Sequence, residues 1–399
     1  MNKKKSVQEL PDEALRGKRA LVRLDLNVPV DESGDITDDS RIRASLPTLE
    51  YLLQHGARPV ILSHFGRPKG APDQRYSLSP VADRLAALTG RSVIFVGTTD
   101  TDEALKASHN LQSGEILLLE NTRFLGGEEE NDERLARGLA ELGDLYVNDA
   151  FGAAHRAHAS TAGVAKHLHP AVAGLLMQRE REFLGGALAD PERPFIAILG
   201  GSKISGKIDV IRELLPKVDA MLIGGAMACT FFDAMGIETG KSLVERDKVE
   251  LAGELLESAG TRIILPNDAV VARGIDQPET AHAVRRDAIP ADEGMYDIGP
   301  ETGMSYARTI GSAKTILWNG PMGVFEKPPF DSGTMAVARA MADATARNAV
   351  TIVGGGDSAA AVVKAGLASK MTHVSTGGGA SLEFLEGKDL PGVTALDDA

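Results

Sequence analysis

The 399-residue sequence predicts an α/β protein of two domains, each a mostly parallel sheet flanked by helices. Three observations predict it. Short β-branched apolar runs alternate with longer stretches of helical period, which is the signature of βα units. The chain is longer than one hydrophobic core usually organises. A charged helical stretch, ended by prolines, falls near its middle.

The runs come in two sets. The first half has Ala20–Leu24, Pro59–Leu62, Val93–Val96, Ile116–Leu119 and Leu145–Val147. The second has Phe195–Leu199, Ala220–Ile223, Ile263–Leu265, Thr315–Trp318, Val350–Val353 and His373–Ser375. Segments such as Ser79–Leu88 and Glu133–Leu142 read as helices between them. Gln178–Glu182 is charged and helical in character, and Asp190-Pro191-Glu192-Arg193-Pro194 breaks it. This predicts a linking helix near Leu175 to Pro194, not a disordered tether. The expected domains are residues 1–175 and 176–379, Rossmann-like, joined by that helix with a cleft between.

Composition narrows the function. The formal net charge of −13 opposes any general affinity for nucleic acid or anionic membrane. Aromatic residues make up only 4%, too few for base-stacking platforms. Cys229 is the single cysteine, so neither an internal disulfide nor a thiolate zinc site is expected. The first residues lack an apolar run behind their lysines, and Ala220–Phe232, the longest uncharged stretch, is too short to span a bilayer. A cytoplasmic enzyme is the simple expectation.

The polar residues that look chemical follow directly after the apolar runs, where open α/β sheets bind ligands. In the first half, Arg23, Arg41, His64, Arg67, Arg123 and Arg156 lie in or just beyond strand-end segments. One arginine alone is more often a surface ion pair. Five arginines and a histidine at one sheet edge would repel unless an anion neutralised them, and the planar guanidinium suits carboxylate and phosphate. The implied ligand is small and polyanionic. His155 and His158 sit three apart, but the adjacent Arg156 opposes a metal cation there.

The second half carries two glycine loops. Gly354-Gly355-Gly356-Asp357-Ser358 follows an apolar run and opens a helical segment, so backbone N–H groups there can approach a phosphate. Gly354-x-Gly356-x-x-Ala359 also fits a dinucleotide fingerprint, yet Met371–Thr376 lacks the acidic residue that fingerprint needs. Gly201–Lys207 satisfies G-x-x-x-x-G-K, but Ile208 replaces the hydroxyl residue of a P-loop. Lys203 and Lys207 still suit a polyphosphate as mobile charges. A solvated turn is the bland alternative for that loop.

Longer motifs now come into view. Arg23-Leu24-Asp25-Leu26-Asn27-Val28-Pro29, Ser63-His64-Phe65-Gly66-Arg67-Pro68 and Asp149–His158 occupy the first half. Leu199–Lys203, Trp318-Asn319-Gly320-Pro321-Met322-Gly323-Val324-Phe325-Glu326, Gly354–Ser358 and Ser375–Gly379 occupy the second. In this order they resemble the phosphoglycerate kinase family, from about Arg19 to the C-terminus. Ser202, Gly206, Phe65, Asn267 and Met295 depart from residues frequent in that family.

The resemblance implies reversible phosphoryl transfer from 1,3-bisphosphoglycerate to MgADP, giving 3-phosphoglycerate and MgATP. It implies that Arg23, Asp25, Leu26, Asn27, Arg41, His64, Phe65, Gly66, Arg67, Arg123 and Arg156 hold the glycerate. Gly201, Lys203, Lys207, Asn319, Glu326, Gly355, Gly356, Asp357 and Ser358 would hold the nucleotide, with Asp357 on Mg²⁺. Arg41 and Lys203 would be catalytic, acting on the transferring group. The same resemblance implies a monomer whose segment 380–399 returns to the N-terminal domain. The segregation of the two motif sets between the halves further predicts domains that close for in-line transfer. A catalytically silent relative would be expected to lack Arg41, Lys203 or Asp357, and all three are present.

Overall fold

In the computed structural model, which describes residues 3–68 and 70–399, the apolar runs become strands of two parallel sheets. Met1 and Asn2, part of the leader reading above, lie outside the described residues, as does Lys69. The chain divides into two compact units, Met1–Glu182 with Lys388–Ala399, and Phe183–Gly387.

The first unit holds β1 (Arg19–Arg23), β2 (Arg58–Leu62), β3 (Val93–Val96), β4 (Ile116–Leu119), β5 (Leu145–Asn148) and β6 (Ala171–Ala173), in the order β3-β4-β2-β1-β5-β6. Helices cover such sheets on both faces, so their strands read as unbroken apolar runs, not alternating ones. All residues of β1 and β4 are buried accordingly. Ala20, Val22, Ile61, Ile116, Leu118 and Val147 lie in one core with Ile42, Leu49 and Leu52 of the helix Ser40–Gln54. Cutting any of these leucines to alanine removes about 2–5 kcal/mol. From β1 the chain builds one side of the sheet with β2, β3 and β4 and then crosses to the other side for β5, which puts the topological switch between β1 and β5.

The second unit repeats the plan. It contains β7 (Phe195–Leu199), β8 (Ala220–Ile223), β9 (Ile263–Ile264), β10 (Asp268–Ala272), β11 (His282–Arg285), β12 (Gly294–Ile298), β13 (Thr315–Asn319), β14 (Val350–Gly354) and β15 (His373–Val374). The parallel sheet runs β15-β14-β13-β7-β8-β9, with its switch between β7 and β13. A three-stranded antiparallel sheet, β11-β10-β12, is an addition that the search for parallel runs did not anticipate.

The linking helix is Leu175–Ala189, and the division between units falls within it, later than the expected residue 175. Its first turn belongs to the first unit because side chains there cap it. Asp149 Oδ1 accepts from Met177 N at 3.0 Å, and Thr48 Oγ1 accepts from Leu175 N at 2.9 Å. Burial raises the Asp149 carboxyl to about 6.

The return of the chain also differs from the expected residue 380. The helix Gly379–Leu385 stays with the second unit, where Ala380, Phe384 and Leu385 are buried. Only 388–399 joins the first unit. There Asn148 Nδ2 donates to Gly392 O at 2.9 Å, and Asp397 accepts from Ala171 N at 2.9 Å. Among the described residues, no helix is long and apolar enough to cross a membrane.

Candidate functional site

Adjacent strands β4, β2, β1 and β5 deliver their carboxyl ends to one rim of the first sheet. Buried amide and carboxylate side chains shape the loops there. Asn121 Oδ1 accepts from Phe65 N (3.1 Å) and Arg123 N (3.0 Å), while its Nδ2 donates to Phe65 O at 2.7 Å. Glu120 accepts from Leu78 N and Asn121 N, each at 2.8 Å. Asn27 Oδ1 accepts from Gly66 N at 2.8 Å, and Arg123 donates to Gly66 O at 2.6 Å. The strand-end loops are thus tied to one another before any ligand arrives.

The basic residues gather here as expected, in different states. Arg67 is exposed, and Arg41 and Arg156 are half-buried. Arg41 donates to Asp25 Oδ2 at 2.8 Å, and Arg156 Nε donates to His155 Nε2 at 3.1 Å. Arg123 is buried; its Nε lies 3.1 Å from Glu129 Oε1 without hydrogen-bond alignment. Burial holds its guanidinium below the usual range, with Glu129 opposing that shift.

Among the expected contact residues, Arg23, Leu26 and Phe65 are buried in this structure. Arg23 has no exposed surface: it donates to Ser160 Oγ at 2.8 Å and to Leu24 O, and its third nitrogen lies 3.1 Å from His64 Nδ1. It therefore supports the rim from behind. Leu26 and Phe65 are core side chains. Leu26 N donates to Ser63 Oγ, and both the N–H and carbonyl of Phe65 are taken by Asn121. These two shape the loop and offer no spare polar group.

Burial, then the charges of Arg23, Arg123 and Arg41, keep His64 well below its usual range. His158 is lowered to about 4, first by burial and then by Arg23, Arg123 and Arg156. Both rings are neutral near pH 7, and the positive charge of the rim comes from arginine.

In the second unit β7, β13 and β14 deliver the glycine loops to the rim beside the β7/β13 switch. Backbone packing explains the glycine there. Gly320 has φ +96°, and a Cβ on it would lie 2.2 Å from Gly200 O. Gly355, at φ +86°, ends β14's turn and starts the helix Gly356–Lys364. The first N–H groups of that helix have no intrahelical acceptor and point to the rim with its dipole.

Lys207, Asn319, Gly355, Gly356, Asp357 and Ser358 line one cavity of about 240 Å³ together with Gly378 and Leu382. Lys207 donates to Asn319 Oδ1, leaving the buried Nδ2 of Asn319 without a partner. Burial lowers the Lys207 ammonium to about 8 against the pull of Asp357 and Glu386. The Oγ of Ser358 accepts from Gly320 N at 2.6 Å and holds the loops together.

A second cavity of about 640 Å³ lies alongside, sharing Asp357, with Gly201 and the exposed Glu326 in its wall. Its other walls are Gly225, Leu243, Met295, Tyr296 and Val324. The sequence reading missed most of these. Met295 and Tyr296 come from the antiparallel sheet, and Gly225 from the Gly-Gly pair after β8, a signal of the same kind as the loops already noted. Lys203 is exposed in the loop after β7.

Two doubly wound sheets, one with a basic rim and one with a rim of glycine turns, lysine and a helix N-terminus, define an α/β enzyme class that handles anions. Comparison makes this specific. The phosphoglycerate kinase family model matches residues 10–388. The phosphoglycerate kinase of Chlorobium luteolum is 57% identical over 391 residues, covering 97% of this chain and 98% of that protein. That of Chloroflexus aggregans is 55% identical, with 100% of both covered. The solved structure of phosphoglycerate kinase from Coxiella burnetii superposes with a TM-score of 0.88 at 43% identity, covering 98% of each chain. The chain belongs to the phosphoglycerate kinase family.

Proposed function

We propose that the protein transfers the acyl phosphate of 1,3-bisphosphoglycerate to MgADP, reversibly, as a kinase and transferase of glycolysis. The observation that carries the reading is that each sheet has its own rim at its switch point, basic in the first unit and built of glycine turns, lysine and a helix N-terminus in the second. The first rim takes the glycerate. Its arginines and the Asp25–Asn27 and His64–Arg67 loops supply donors for one carboxyl and one phosphate end. The second rim takes the nucleotide, with phosphates at Lys207, Asn319 and the N-terminus of Gly356–Lys364. The 640 Å³ cavity receives the nucleoside, with Glu326 placed for the ribose hydroxyls.

Phosphoryl transfer asks the protein for alignment and charge stabilisation, not covalent chemistry. The acyl phosphate is an activated donor, so the attacking ADP oxygen needs no general base. Arg41 and Lys203 are the cations assigned to the transferring group. Arg41 is paired with Asp25, but the pair is part-exposed, and such pairs contribute little stability. Exchanging that carboxylate for a phosphate oxygen is therefore cheap.

Asp357 fits a Mg²⁺ that arrives with the nucleotide: it is exposed, in the first helical turn, and common to both cavities. Among the described residues no group of three or more His, Cys, Asp or Glu can hold a metal. Phosphate and water would complete the shell, as magnesium prefers. When bound, the ion would neutralise phosphate charge and orient the chain of oxygens. The protein is further proposed to act as a cytoplasmic monomer, and sedimentation equilibrium tests the oligomeric state.

Calorimetric titration tests the assignment of rims. Arg67→Ala and Arg123→Ala are expected to weaken 3-phosphoglycerate binding and leave ADP binding intact. The opposite pattern would overturn the assignment.

A further inference from the structure

Behind the basic rim lies a buried carboxylate that the binding of substrate does not use. Glu128 has no exposed surface. Its Oε2 accepts from Ser160 N at 2.9 Å, and its Oε1 accepts from Ser160 Oγ. Ser160 sits in a single π-type turn, Ala159–Gly163, which Tyr146 also pins by donating its hydroxyl to Ser160 O at 2.8 Å. Turns of this kind recur at functional sites.

With its hydrogen committed to Glu128, Ser160 Oγ accepts from Arg23 Nε at 2.8 Å. The buried Arg23 in turn reaches His64 Nδ1 at 3.1 Å. A guanidinium has donors only, so Nδ1 must be the acceptor and carry no proton. The one proton of the neutral ring is then on Nε2. A doubly protonated His64 would set two donors against each other, in agreement with the lowered basicity of this ring.

We propose that Glu128 is a positioning residue for the glycerate site, acting through Ser160 and Arg23 to hold His64 as the Nε2–H tautomer, a hydrogen-bond donor to the substrate's anionic oxygens. The opposite tautomer would aim a lone pair at those oxygens. Glu128 also gives the buried Arg23 a counter-charge within one hydrogen-bonded chain, without which burying a guanidinium is costly. The inference rests on the reading that this rim takes the glycerate.

The test uses full-length protein labelled with ¹⁵N-histidine, with the His64 signals among nine histidines assigned from a His64→Gln variant. The wild-type spectrum is expected to show Nε2–H with a bare Nδ1. In Ser160→Ala and Glu128→Gln the tautomers should mix. KM for 3-phosphoglycerate should then rise about tenfold, the weight of one hydrogen bond to a charged group, while KM for ATP stays within about twofold. Arg67→Ala serves as the control: KM for 3-phosphoglycerate should rise with the His64 spectrum unchanged. A flat KM in that control would sink the rim assignment alone. Nδ1–H in the wild type, which needs no variant to fold, overturns the positioning role. So does an unchanged tautomer in both folded variants.

Discussion

Replacing Lys207 by methionine removes the ammonium that donates to Asn319 and keeps most of the stem's volume. Because burial lowers the Lys207 amine to about 8, roughly nine-tenths of it is charged at pH 7 and one-tenth at pH 9. A bound polyphosphate favours the charged form. Binding therefore takes up a proton, and ADP affinity of the wild type should fall about tenfold between pH 7 and pH 9. At pH 8 the uptake should be about half a proton per ADP, read by calorimetry in two buffers of different ionisation enthalpy. Lys207→Met should bind more weakly at pH 7 and lose most of the pH dependence.

Stability should respond in the opposite sense. The lysine is lowered from its ordinary 10.5 to about 8, so between those values the unfolded chain binds more protons and stability of the ligand-free protein rises with pH. Below pH 8 the buried charge is fully a burden, at most about 3 kcal/mol, and Lys207→Met should be the more stable protein at pH 7. An ADP affinity that is flat from pH 7 to 9, or equally steep in the methionine variant, would refute the reasoning.

Other substitutions test other parts of the account. Arg41→Ala and Lys203→Ala should each lower kcat by about 10²–10³ with smaller changes in KM, by analogy with a lost oxyanion donor; steady-state kinetics with an unchanged kcat would remove that residue from catalysis. Gly320→Ala places a Cβ 2.2 Å from Gly200 O at a φ of +96° and should cost about 2–4 kcal/mol in urea unfolding. A loss below about 0.5 kcal/mol would show that the loops can part freely. Asp357→Asn should raise the magnesium concentration needed for half-maximal turnover, and an unshifted magnesium titration would move the ion elsewhere.

Much of this was legible from the chain because parallel strands buried on both faces leave unbroken apolar runs. Each run read from the sequence became a strand, and the polar residues after β1, β2, β4, β7, β13 and β14 fall at sheet rims. What escaped has physical reasons. The three residues of β6 are too few to register as a run, and in the antiparallel sheet β11 and β12 lack that continuous pattern, so the short apolar stretch of β10 had no neighbours to mark it.

Residue type alone also could not say which basic groups face solvent. Arg23 and Arg67 look alike in sequence, yet one ends a central strand in the core and the other is exposed in a loop. Glu128 and Ser160 carry no motif of their own. Their importance comes from a hydrogen-bonded chain that only the fold assembles.

The most direct measurement of the central claim is ATP formation by the purified protein from 1,3-bisphosphoglycerate, ADP and magnesium, followed in a coupled assay. The account predicts turnover that needs all three, runs in reverse from 3-phosphoglycerate and ATP, and collapses in Lys203→Ala. No ATP from the folded wild-type protein with magnesium present would contradict it.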